Sequence, residues 1–577
     1  MKTFIARFLL VAIFLPLLFL TSSLKAQTVT ANSCSATDVK NAWATVTSAT
    51  KTFVIPAGTC DWSTGVTLTA PTGSTNLTIQ GAGNTTGSDS LGNPTGYNDQ
   101  TITQINTTTA GIVNFNGSTS QTLLRITGLS FQFLNSTSSC SIVFGGGQLA
   151  AMPTPFLRVD HTHWTTTQNG VCLAETYGAV WGSVDHNIVA IPVSNSSFQG
   201  VSNFWRVGAG YIGDGFAAGA FVWNKPTAWG TGQFLYFENN FITGGYMNDC
   251  SSGGKEVFRY NTVNQSIEQG HEGTGDFRGC RATEYYKNHV TCSSFNGGVA
   301  STRVGTMLVW GNTTTGCSSQ LIGLNEDRTN GHQFGAPPDW GYCGTGGVYP
   351  GPSPWDGNSL GASNPSGYPC VDQPGRGQGD YIYGSAFGYG EPMRANVTRK
   401  ICPVASTVVN GQTVTCPSGY TIGNDNPGTG SWPHNALEPI YEWMDSAQGN
   451  VGGDCGNLSN CLPNRDFYQE AIGQAAQSSS TSPFNGSSGD GHGTLANRPT
   501  SCTPGPGGQF GAGPPGLGGS PGVGYWATDT FTFYVCTATN TWSTYYTPYA
   551  YPHPLITGGG TSGNAPAPPT NVSAAVN

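Results

Sequence analysis

Asp160, Asp185, Glu238 and Arg259 occupy the same place in a recurring hexapeptide, and that coincidence is the first sign of chemistry in this chain. The copies are VDHTHW at 159, VDHNIV at 184, FENNFI at 237, FRYNTV at 258, YYKNHV at 285 and VWGNTT at 309. Side chains alternate along a strand, so if the first residue of each copy points inward, the second points out. Read down the copies, that second position gives Asp160, Asp185, Glu238, Arg259, Tyr286 and Trp310. Strands paired side by side lie about 4.8 Å apart. Two carboxylates one repeat apart would then stand near the roughly 5–5.5 Å of retaining glycosidases, and splayed or one repeat further on they reach the roughly 6.5–9.5 Å of inverting ones. Like charges this close raise one pKa, which suits a general acid beside an ionised partner. The same carboxylates could instead hold calcium, or do no more than keep an outward face soluble, with Glu238 and Arg259 as a cross-strand ion pair. His161 and His186 follow at the bend, placed either to bond backbone or to bind substrate.

Two further segments concentrate reactive side chains. GHEGTGDFRGCR, residues 270–281, brings His271, Glu272, Asp276, Arg278 and Arg281 together in a chain where charge is scarce. Its glycines permit sharp turns and Cys280 could pin it by a disulfide. It is read either as a charged surface turn or as acid/base and cationic groups beside the carboxylate column. No HExxH follows His271, so a zinc-protease reading fails on spacing. The stretch 190–235 carries Trp205, Trp223 and Trp229 with Tyr211, Asp214 and Lys225. Tryptophans stack on sugar faces, so Trp223 and Lys225 are candidate walls of a carbohydrate groove; a hydrophobic plug is the alternative.

These groups need a scaffold that repeats. The fourth position of each copy is Thr162, Asn187, Asn240, Asn261, Asn288 or Asn312, at steps of 25, 53, 21, 27 and 24 residues. Short strands at such a period predict an all-β, single-stranded parallel β-helix whose coils stack on one core, with the polar residue at each bend forming a ladder. Asparagine suits a bend because it tolerates the left-handed region and bonds nearby backbone. NLTIQGAG (76–83) and LLRITGLSFQF (123–133) read as earlier coils and PIYEWMD (439–445) as a late one. In ATDVKNAWATV (36–46), Val39, Ala42, Trp43 and Val46 share a helical stripe, as expected of a short helix closing the open end of the stack. Residues 27–480 are thus assigned to the helix, with insertions near 190–235 and 325–435. Residues 481–557 are expected to form a Gly/Pro-rich linker and a small β-rich module, and 558–577 a disordered tail.

FVIPAGTCDW followed by NLTIQGAG, with the Asn-centred coils, resembles the pectate-lyase-like superfamily of secreted right-handed parallel β-helix proteins. CVDQPGRGQ, ALEPIYEW, GTLANRP, YWATD and YYTPYAYPHPL resemble a bacterial subgroup of it. The superfamily holds polysaccharide lyases, glycoside hydrolases, esterases and non-catalytic adhesins. The resembled lyases imply β-elimination, with Arg259 or Lys287 taking a proton next to a uronic acid carboxylate.

Composition narrows the classes. Charged residues make up 9% of the chain and glycine 83 of 577 residues, which starves helices and suits short strands and tight turns. A net charge of −9 without a basic run argues against nucleic acid as a partner. Residues 1–26 read as an export signal, and no later run is long enough to span a bilayer. Sixteen cysteines with no CxxC predict disulfides rather than zinc, with Cys34–Cys60, Cys402–Cys416 and Cys455–Cys461 as neighbouring pairs. The sequence therefore predicts a secreted, monomeric carbohydrate-active protein that cleaves a polysaccharide, with a non-catalytic adhesin or glycan-binding role as the alternative.

Overall fold

A computed structural model describes residues 27–135, 139–145, 155–178, 180–192, 202–208, 220–223, 225–265, 267–271, 279–292, 300–317, 322–324, 374–378, 401–402, 406–409, 412–415, 421–422, 436–446, 451–452, 463–470, 483–506, 513–514 and 516–557. Three long parallel sheets of twelve, nine and ten strands wind around one core, which is the predicted parallel β-helix. The hexapeptide copies stack in register on the twelve-stranded sheet: Thr127, Asp160, Asp185, Glu238, Arg259, Tyr286, Trp310 and Trp443 are successive partners. Their neighbours Val159, Val184, Phe237, Phe258, Tyr285 and Val309 point into the core and are fully buried. Asn76–Gln80, Leu123–Thr127 and Ile440–Trp443 join the same sheet, so the three outlying coils are where the sequence puts them.

The ladder is continuous. The backbone N–H and side-chain amide of Asn187, Asn240, Asn261 and Asn288 each donate to the Oδ1 of the next rung at 3.0–3.1 Å. The same amide also donates to a core-strand carbonyl of the preceding coil, as from Asn261 to Phe237. Asn312 hands its pair to Asp445, which ends the series because a last rung need only accept. The left-handed conformation falls one residue earlier than expected: His161, His186, Asn239, Tyr260, Lys287 and Met444 have φ between 49° and 57°. Turning the chain there swings the next side chain inward, where the ladder needs it.

The helix α1 (Ala36–Trp43) caps the first coil, with Ser35 accepting from Asp38 N–H at its start and Val39 buried. Disulfides staple neighbouring coils at Cys34–Cys60, Cys140–Cys172, Cys250–Cys280 and Cys292–Cys317, and Cys502–Cys536 closes the C-terminal module. The pairs proposed for Cys402 with Cys416 and Cys455 with Cys461 lie outside the residues whose side chains are described. The long step from Asn187 to Asn240 is a full coil, since Asn203–Gly208 pairs with Cys172–Tyr177 and Tyr246–Ser251. Among the described residues no helix is long and apolar enough to cross a membrane.

The C-terminal part holds a small β-rich sheet whose docking place the sequence did not indicate. Asp490–Gly493, Gly524–Ala527, Thr532–Ala538 and Thr541–Tyr546 form a four-stranded sheet that packs aromatic side chains on the outer face of the twelve-stranded sheet. Trp310 meets Trp526 at 5.0 Å between ring centres, and Trp443 stacks on Phe533 at 4.3 Å. The glycine-rich run serves close approach: a Cβ on Gly519 would lie 2.0 Å from the Thr537 carbonyl oxygen.

Candidate functional site

The predicted column exists, but most of it is not in water. Asp160, Asp185, Glu238 and Arg259 are fully buried, which corrects the expectation of a solvent-facing stripe. Two things cover them. Arginines on the same face pair with the acids: Arg125 is bidentate on Asp160 at 2.7 and 2.5 Å, Arg158 on Asp185 at 3.0 and 2.9 Å, and Arg259 reaches Glu238 at 2.5 Å. The chain following the module, residues 546–557, then lies along the row as a strap. Arg259 donates to the carbonyls of Tyr549 and Ala550, and Arg158 sits 3.4 Å from those of Leu555 and Ile556. The His553 N–H donates to Glu238, and the Tyr546 hydroxyl to Glu284.

Paired-carboxylate hydrolysis does not fit this arrangement. Burial would raise the Asp160 pKa, but the hydrogen bonds from Arg125 and His161 and the charges of Arg158 and Arg125 outweigh it and hold the carboxyl well below its usual range. Such a group cannot serve as a general acid near neutrality. Burial raises the Glu238 pKa against the pull of Arg259, yet the strap closes over it. Calcium fits no better, because the acids of the row are already filled by guanidinium groups. Elsewhere among the described residues, one group of potential ligand atoms converges, on Cys250, Glu256 and Cys280, and its two sulfurs are joined in a disulfide.

What remains open is the N-terminal end of the row. A cleft of about 330 Å³ is lined by Gln80, Asn84, Arg125, Thr127 and His161 together with Gly81, Gly83 and Gly128. Gly128 is left-handed (φ +70°), and a Cβ there would come 2.7 Å from the Gly81 carbonyl oxygen, so the coils can close up only with glycine at this point. The His161 ring places Nδ1 2.7 Å from Asp160, and the next coil repeats the arrangement with His186 Nδ1 3.0 Å from Asp185. The two imidazoles are parallel, 5.3 Å apart, and about one third exposed. A carboxylate that accepts Nδ1–H fixes the tautomer and leaves Nε2 as a proton acceptor. The Tyr97 hydroxyl donates to the His161 carbonyl, and Asn239 holds both Asn93 and Tyr551. The hairpin of Asn84–Thr86 and Gly96–Asn98 therefore borders the histidines on one side and the strap on the other.

The remaining candidates scatter. Arg281 is buried in a two-point ion pair with Glu438, beneath the ring of Trp223, whose indole N–H donates to the Gly279 carbonyl. Trp205 lies in the core and Trp229 against Phe234, so the tryptophans of 190–235 form no groove wall. Lys225 is exposed, and Lys287 lies over Trp310 with its pKa lowered by burial. His271 is half-buried against Arg303; Glu272, Asp276 and Arg278, like Tyr211 and Asp214, lie outside the described residues. Arg125 is the cleft residue that the hexapeptide frame missed. It falls on the outward face of LLRITGL, two residues before the register partner of Asp160, and inspecting that earlier coil would have found it.

No family model matches the chain, and no curated protein matches it. Among solved structures it is similar to the crystal structure of alginate lyase from Paenibacillus sp. str. FPU-7, at 12% identity over 50% of this chain and 95% of that chain, with a TM-score of 0.27. A likeness of that size carries no argument about the function of this chain.

Proposed function

We propose that the chain is a secreted, polysaccharide-cleaving β-helix protein of the pectate-lyase-like kind, acting on a uronic acid polymer by β-elimination at the Arg125–His161 cleft. The observation that carries this reading is an imidazole held by a buried carboxylate, its outer nitrogen free to accept, beside a guanidinium in an open cleft. Arg125 would neutralise the sugar carboxylate and so acidify the adjacent C–H. His161 Nε2 would take that proton; the electron pair forms the C4=C5 double bond as the C4–O bond breaks, and the leaving oxygen takes a proton from solvent. His186, one coil on, would bind the neighbouring sugar. Export by residues 1–26 is part of the proposal, and the five disulfides among the described residues are compatible with it.

Incubation with a panel of uronic acid polymers, read by ultraviolet absorbance of the unsaturated product, tests it. His161→Gln is expected to lose about 100-fold or more in turnover while keeping its circular dichroism spectrum. Absence of unsaturated product from pH 5 to 9, with and without calcium, would sink the reading. A non-catalytic glycan-binding role is the second reading, favoured by the burial of Asp185, Glu238 and Arg259 in ion pairs. Polymer binding that survives His161→Gln without turnover in either protein would select it.

A further inference from the structure

Where the coil stack ends, three carboxyl groups are buried with oxygens that meet no donor. Glu442 follows Val309 in the inward column of the twelve-stranded sheet, with Tyr441 and Trp443 on either side turned out onto the C-terminal module. It is 2% exposed, and its oxygens meet no donor but lie in hydrogen-bond reach of the Asp445 carboxyl. Asp445, the last rung of the ladder, uses Oδ1 for Asn312 and leaves Oδ2 without one. Asp490, 1% exposed and bridged to Glu470, faces the Glu442 N–H, but neither of its oxygens reaches full hydrogen-bond geometry. Glu470 completes the group; it accepts the Met444 N–H and contacts His492 Nδ1. Among the described residues, Lys287 is a cation whose charge reaches Asp445, and it lies over the Trp310 ring.

An ionised carboxylate buried without a donor is costly, and several together repel one another; a proton removes both penalties. We propose that Glu442 and Asp445 share a proton and, with Asp490, form an acid clasp that holds the end of the coil stack shut and loosens as the medium turns alkaline. Burial and the mutual charges of these groups act in one direction: Asp445 is pushed up to about 7, and Glu442 and Asp490 well above the ordinary carboxylate range. Folded pKa values above the unfolded ones give a stabilisation that is complete below pH about 4 and lost as pH rises through about 7.

Hydrogen exchange of the full-length protein between pH 5 and 8.5, corrected for intrinsic rates, tests the clasp. Opening of the peptides covering 436–446 and 463–470 is expected to rise about tenfold per pH unit for each proton held, while 123–133 stays flat. Glu442→Gln, whose amide can donate to Asp445, is expected to lower the slope by one proton and protect the segment at pH 8. A flat wild-type profile, or an unchanged slope in Glu442→Gln, overturns the proposal. If that variant does not fold, Asp490→Asn must lower the slope by one proton, and an unchanged slope there overturns it equally. Protection at pH 8 restored in the wild type by millimolar calcium chloride would reassign the carboxylates to a metal and overturn the shared proton.

Discussion

The outer face of the twelve-stranded sheet is used in two ways. Toward the N-terminal coils its outward positions are Arg125, Arg158, Asp160 and Asp185, edged by histidines about one third exposed and by an open cleft. Toward the C-terminal coils the same positions become Tyr286, Trp310, Tyr441 and Trp443, sealed under the module. The winding of the sheet is the same in both. The difference shows that in a solenoid the winding sets only the grid, and the cover laid over each part decides whether a side chain can react. Glu238 and Arg259 sit where the strap crosses the row, and Asp160 and Asp185 are as fully buried as they are.

The largest test of this contrast is removal of one guanidinium from each part. Arg259→Met takes the ion-pair partner from the buried Glu238 beneath the strap and is expected to cost about 3–5 kcal/mol in urea unfolding. Arg125→Met, at a position one third exposed and with Arg158 still near Asp160, is expected to cost about 1 kcal/mol. Equal losses would break the comparison. Next, Asn187→Ala and Asn261→Ala each strand ladder donors in buried surroundings and are expected to cost about 3 kcal/mol alike; a wide gap between them would move the difference from the cover to the winding.

The two parts should also fail at opposite ends of the pH scale. Glu284, pushed up to about 7 by burial against its hydrogen bonds from Gly230 and Tyr546, stabilises below pH about 4.5 and loses that contribution as pH rises through 7. Glu284→Gln is therefore expected to gain up to on the order of 3 kcal/mol over the wild type at pH 8 and nothing at pH 4. Asp160, with its pKa lowered, stabilises above its unfolded value near 4 and loses this as acid protonates the folded form. Exchange mapping at pH 3 is expected to show the smaller effect, loosening at 157–166 before 282–291.

Much of the winding was legible in the sequence because a core column and a ladder both demand the same residue types at each turn: Val159 to Val309 inward, Thr162 to Asn312 at the bend. The register of the column followed from those two constraints. Its covering did not, because the pairing of Arg259 with the carbonyls of Tyr549 and Ala550 involves backbone atoms, which leave no trace in residue type. YYTPYAYPHPL stood out only as a resemblance. The tryptophans of 190–235 misled for a related reason: Trp205 belongs to a strand of an ordinary coil hidden inside a long loop, where no periodic signal marks it.

The strap also sets an order of events. Its bonds to Arg259 close loops of 290 and 291 residues, and those to Arg158 loops of 397 and 398. During synthesis these guanidiniums exist for hundreds of residues before their final partners do, so the early coils must stand in water with a hydrated charged seam until the strap is made and dries it.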